Sequence, residues 1–143
     1  MLSFVDLTLI LALAFPLVLL FVLVLALVFF ANGVPKLSDP GFGADAEQFF
    51  ATLNDDVIIK PYKIVLNDFV IPNAHIVASL IKYGEIALGI SFFLGWPLRL
   101  TAICATFLHL NYLAIASFPT FIYLNILMIA VEWACVHVFE KDK

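Results

Sequence analysis

The sequence predicts an all-α integral membrane protein: a four-transmembrane-helix bundle with a long exoplasmic loop after the first helix, containing a short interfacial helix. Three observations predict it. Of the 143 residues, 64% are hydrophobic and 13% charged, against roughly 45–50% and about 25% in soluble domains. Leu7 to Ala31 runs 25 residues without a charge, about 37 Å as a helix, which exceeds the roughly 30 Å hydrocarbon core. Three later apolar segments, about 75–96, 99–117 and 121–139, each approach the ~20 residues that a spanning helix requires. Residues 1–143 are therefore read as a single membrane domain.

The first span, about 7–31, has no Lys or Arg before it, and its apolar core exceeds the roughly 7–15 residues of a signal peptide. It is read as a retained helix with Pro16 as a local kink. Asn32-Gly33-Val34-Pro35 is expected to end it, with Gly and Pro where helices stop. The long loop 32–74 carries six of the eleven acidic residues. Within it, Ser38-Asp39-Pro40-Gly41 reads as a turn. Ala44 to Leu53 sets Phe49, Phe50 and Leu53 at helical spacing against Asp45, Glu47 and Gln48, which suits an interfacial helix. Val57 to Val70 alternates too irregularly to assign, and the five aromatics Phe42, Phe49, Phe50, Tyr62 and Phe69 are expected to pack over the mouth of the bundle. Pro72 is expected to start the second helix, and Gly95-Trp96-Pro97-Leu98-Arg99 is a sharp turn into the third.

The net charge of −4 leaves no basic footprint for nucleic acid. The expected partners are the lipid bilayer and other membrane subunits. Arg99, Lys141 and Lys143 on the short turn and tail stand against Lys36, Lys60 and Lys63 in the acidic loop; short-loop charges weigh more, which favours cytoplasmic termini. Cys104 and Cys135 form no C-x-x-C pair and read as reduced packing residues.

Glu85 lies inside an apolar run, where a carboxylate costs several kcal/mol or more unless it faces a bundle interior, a cavity or a partner. His75, Ala78, Lys82, Glu85, Gly89 and Trp96 recur at helical spacing on one face, so Lys82 and Glu85 are expected to form a structural ion pair. On the third helix His109 joins a stripe of mostly small residues; on the fourth, Asn125, Ile129, Glu132 and Val136 share a face. Counting the helical rise puts Glu85 about 19 Å from Pro72, His109 about 15 Å from Arg99 and Glu132 about 18 Å from Thr120. All three fall near mid-membrane, which predicts a buried Lys82–Glu85–His109–Glu132 cluster with Asn125 nearer the exoplasmic side.

Two readings of the cluster stay open. Asn111 and Asn125 fit helix–helix polar contacts, and paired charges can be purely structural. Alternatively Glu85, His109 and Glu132 handle protons, or meet a quinone headgroup, whose carbonyls need donors and whose reduction needs protons. No H-x-x-x-H or E-x-x-H spacing is present, so no metal site is assigned. His137, beside Trp133, reads as interfacial.

Asn32-Gly33-Val34-Pro35-Lys36-Leu37-Ser38-Asp39-Pro40, then Glu85-Ile86-Ala87-Leu88-Gly89-Ile90, then Leu94-Gly95-Trp96-Pro97-Leu98-Arg99-Leu100-Thr101-Ala102 together resemble the DoxX family. These are small four-helix membrane proteins that include the DoxD-type subunit of thiosulfate:quinone oxidoreductase. The resemblance spans most of the chain and matches Lys36, Glu85 and Arg99 most directly, implying that Lys36 or Arg99 makes an anion or surface contact. Pro97-Leu98 departs from the small polar residue common before the arginine, and the longer loop between Lys36 and Glu85 implies an added contact surface. A prokaryotic cytoplasmic membrane is the expected location.

Two function classes follow. One is a subunit of a membrane redox complex with quinone as the candidate cofactor; lacking a cysteine relay or flavin site, it would draw electrons from another subunit. The other is a non-catalytic accessory or scaffold subunit of a larger respiratory or photosynthetic assembly. Whether the chain is itself an oxidoreductase subunit stays open.

Overall fold

A computed structural model describes residues 4–56, 59–115 and 119–140, with side chains at 16–53, 59–115 and 119–139. They form α1 (Phe4–Ser38), α2 (Ala46–Asp56), α3 (Tyr62–Val65) running into a π-helical turn (Leu66–Val70), α4 (Ala74–Leu94), α5 (Leu98–Ile115) and α6 (Pro119–Glu140). Four helical segments are long and apolar enough to span a bilayer: Pro16–Ser38 of α1, Ala74–Leu94, Leu98–Ile115 and Pro119–Phe139. The chain is thus the expected four-helix membrane protein. Lys141, Lys143, Ser117 and Val57 lie outside the described residues.

The first helix does not stop at Ala31 as expected but continues through Gly33 and Pro35 to Ser38. Proline near a helix end keeps a helical φ and removes only one backbone donor, and the helix closes over it with Asp39 N–H donating to the Pro35 carbonyl at 3.0 Å. Gly33 serves close approach rather than termination. A Cβ there would stand 3.0 Å from Ile86 Cδ1 and 3.1 Å from Glu85 Cβ, so only hydrogen lets α1 lie this close to α4. Gly89 does the same from the other side, facing Phe30 and the Ala26 carbonyl. One turn beyond Gly89 on α4, Phe92 stacks on Phe29 with ring centroids 5.7 Å apart.

These pairings fix an antiparallel register in which Glu85 faces the polar C-terminal end of α1, not the middle of its uncharged run. Glu85 thus meets α1 in its last turn, where Lys36 turns into the bundle. Glu85 and His109 share a level, since about ten and eleven residues separate them from the α4–α5 turn, or about 15–17 Å.

That turn follows from Gly95, whose φ of 67° is open to glycine at little cost. Gly95 N–H donates to the Phe92 carbonyl and Trp96 N–H to that of Ser91, the paired bonds of a glycine-terminated helix. Leu98 and Ala102 then enter the central apolar core with Leu25, Ala26, Phe92 and Cys135. Large apolar side chains cover the outside: Phe107 is 69% exposed and Leu80 68%, an arrangement that lipid accepts and water does not.

The connection between α1 and α4 is folded. Ala46 and Phe50 of α2 bury against Leu66, Val70, Ala74 and Ala78, with Phe42 and Tyr62 packed alongside. Two of the five loop aromatics depart from the expected packing, because Phe49 and Phe69 face outward. Ile59 N–H reaches the Ala114 carbonyl of α5 at 3.4 Å, so this cap closes one end of the bundle.

Candidate functional site

Five polar or charged residues are buried among the described ones: Glu85, Thr101, His109, Asn125 and Glu132. Thr101 is satisfied locally, its hydroxyl donating to the Pro97 carbonyl at 2.8 Å. The other four, with Lys36 and Tyr112, make two adjoining sites.

The first joins α1, α4 and α5. Lys36 Nζ donates to both carboxylate oxygens of Glu85 at 2.6 Å, and the Tyr112 hydroxyl donates to Oε1, also at 2.6 Å. The ion pair expected between Lys82 and Glu85 is corrected here: the glutamate's cation is Lys36, and the Lys82 ammonium lies 5.2 Å from the centroid of the Tyr83 ring. The reason is the longer α1, which carries Lys36 across Gly33 onto the buried face of α4, whereas Lys82 sits on its flank, half-buried. Lys36, expected at a surface, is therefore turned inward, with its side chain 25% exposed against 2% for Glu85. Two cationic donor bonds and one phenolic bond hold the charge of the carboxylate, which burial alone would strongly disfavour.

The second site joins α5 and α6. His109 contacts Asn125 Oδ1 through Nδ1 at 2.8 Å and Glu132 Oε1 through Nε2 at 2.9 Å. Asn125 Nδ2 donates to the Phe121 carbonyl at 2.8 Å. An amide nitrogen can only donate and its oxygen only accept, so that bond turns Oδ1 toward the histidine and makes His109 Nδ1–H the donor. Glu132 is fully buried, and its Oε2 has no hydrogen-bond partner among the described residues. Phe29 packs on the His109 ring at 5.7 Å. His109 and Tyr112 are three residues apart on α5, which puts the two sites on one helical face.

Other expected residues fall elsewhere. Asn111 does not join two spanning helices; its Oδ1 accepts from the Tyr62 hydroxyl of the cap at 2.7 Å. Burial raises the ionisation of the Tyr62 phenol above its ordinary value. Arg99 lies exposed in the first turn of α5, and His137 is exposed near the end of α6. Trp96, expected on the Glu85 face, stands beyond the helix end and is 72% exposed. Cys135 packs in the core while Cys104 faces outward, and both are free thiols. Trp133 ties α6 to α5 by donating to the Thr106 hydroxyl at 3.0 Å.

Tyr112 and Gly33 are the participants that sequence reasoning missed. Tyr112 carried a signal, its three-residue spacing from His109, and Gly33 was masked by its ordinary reading as a helix stop. Two surface concavities, one along the outer face of α4 beside Tyr83 and Gly84 and one beside α2, are not lined by Glu85 or His109.

Comparison with family models matches residues 17–119, more than half of the chain, to the family described as DoxX. Comparisons with curated proteins and with solved structures return no match.

Proposed function

The chain belongs to the DoxX family, and from that premise we propose that it is a subunit of a membrane redox complex in which the buried polar sites transfer protons beside a quinone-type carrier. The observation that carries this reading is His109, bonded on both ring nitrogens inside the bundle to Asn125 and Glu132. A buried imidazole against a carboxyl group is a proton-exchanging unit. A purely structural contact needs neither partner to be ionisable.

The donor inventory fits the hydroxyls of a reduced carrier better than the carbonyls of an oxidised one. Lys36, Tyr112 and His109 Nδ1–H are already committed, whereas Glu132 Oε2 is an acceptor without a partner among the described residues. When bound, such a carrier supplies the electron chemistry. This chain's part is to hold and move protons at Glu132 and His109, with Lys36, one-quarter exposed, marking the edge from which the cluster meets its surroundings. The DoxD-type subunit of thiosulfate:quinone oxidoreductase is the model for such an assembly. Residues 1–143 then act as one membrane domain in a prokaryotic cytoplasmic membrane, with cytoplasmic termini and the cap on the exoplasmic side. The test is to isolate the native assembly and identify the lipid-soluble molecules that co-purify. A stoichiometric quinone supports the reading, and an assembly without one counts against it.

The alternative is a non-catalytic accessory or scaffold subunit. It is favoured by the ion pair of Lys36 with Glu85, which can serve purely to lock α1 onto α4. Unchanged partner activity after deletion of the chain would count against both readings.

A further inference from the structure

We infer, within the proton-transfer reading above, that Glu132 carries the exchangeable proton of the cluster as the acid partner of His109, that Asn125 is the positioning residue for this pair, and that Glu85 serves instead as the acceptor that holds Lys36 and Tyr112. The two carboxyl groups are both buried but differ completely in their bonds. Glu85 receives two bonds from an ammonium group and one from a phenol. Among the described residues Glu132 makes one hydrogen bond, with His109 Nε2, and its second oxygen meets no donor.

The bond inventory counts the proton. Because Asn125 makes His109 Nδ1 a donor, the 2.9 Å contact between Nε2 and Glu132 Oε1 holds one further proton. Either the carboxylic acid donates to a neutral imidazole, or an imidazolium donates to a carboxylate. Both arrangements carry no net charge. They differ at Oε2: in the first it is a neutral carbonyl lacking a bond, whereas in the second it is a buried carboxylate oxygen lacking one, which is the costlier of the two. The acid form therefore rests on Glu132. The titratable groups around the pair, Lys36 on α1, Glu85 on α4, Tyr112 on α5 and Cys135 on α6, offer Oε2 no bond, since the first three are engaged with one another and the thiol makes none to it. Oε2 is thus the place in the cluster where a proton donor can arrive without displacing an existing bond.

The test is nitrogen NMR on the full chain in lipid bilayers at neutral pH, with the carboxylic-acid stretch read by infrared spectroscopy on the same samples. The chain has three histidines, so the His109 signals are identified by their loss in His109→Gln. The expected spectrum shows a protonated Nδ1 and an unprotonated Nε2, together with an acid band that disappears in Glu132→Gln and persists in Glu85→Gln. Asn125→Ala is expected to release the tautomer and give a mixed His109 signal, which a merely structural contact would not do. An imidazolium signature in the unaltered protein, or an acid band that survives Glu132→Gln, overturns the inference. If Glu132→Gln fails to fold, the spectrum of the unaltered protein decides alone. No carrier is present, so absence of quinone from the native assembly leaves this result standing, and failure here leaves the carrier's identity open to its own test.

Discussion

Lys36, in the last turn of α1, holds Glu85 of α4 with its ammonium 2.6 Å from each carboxylate oxygen, across 49 residues of sequence. The pair ties the first helix to the three-helix unit at the level where the cap begins, and with Tyr112 it neutralises a carboxylate that the bundle would otherwise exclude.

Breaking this pair from its two ends should have unequal effects. Lys36→Met leaves the fully buried Glu85 uncompensated and should cost about 3–5 kcal/mol. Glu85→Gln leaves a lysine that can turn to its exposed side, and should cost about 1–3 kcal/mol. Lys36→Met/Glu85→Met should recover most of the loss. Denaturant titration in mild detergent checks the order, and equal single-variant losses would refute it.

Gly33→Ala places a methyl group 3.0 Å from Ile86 and 3.1 Å from Glu85. Overpacking of this kind costs about 1–3 kcal/mol, and here it also moves Lys36 off its partner. Gly84→Ala is the control, because nothing lies within 4 Å of its added methyl; it should be neutral or stabilise by up to about 1 kcal/mol. Melting temperatures of the two variants give the comparison.

Tyr62 and Asn111 fasten the cap to α5. Tyr62→Phe should cost about 1 kcal/mol and speed amide exchange around Tyr62–Val65 without changing the helix bundle. Its phenol ionises above its ordinary value when folded, so the unfolded chain loses that proton first as pH rises. The unfolded state then binds fewer protons, and Tyr62's share of stability declines above about pH 10. In Tyr62→Phe that share of the alkaline decline should vanish.

The four spans, the cap helix and the common level of Glu85 and His109 were legible because composition and a 3.6-residue period record them directly. Which lysine meets Glu85 was not. Lys82 is three residues away on the same helix, while Lys36 depends on α1 continuing through Gly33 and Pro35, a choice made by helix–helix packing rather than by local propensity. Tyr112 was overlooked for a related reason: an aromatic near a helix end reads as packing or interface until a partner carboxylate is placed beside its hydroxyl. The contacts of His109 with Asn125 and Glu132 follow from faces that the sequence did indicate, but the open oxygen of Glu132 required coordinates.

The most direct test of the proton-transfer role is turnover of the native assembly carrying Glu132→Gln, with subunit content and bound carrier measured on the same preparation. An intact assembly in which turnover falls by about 10²-fold or more, as expected for loss of a general acid or base, is the predicted result. An intact assembly that turns over at the unaltered rate would contradict it.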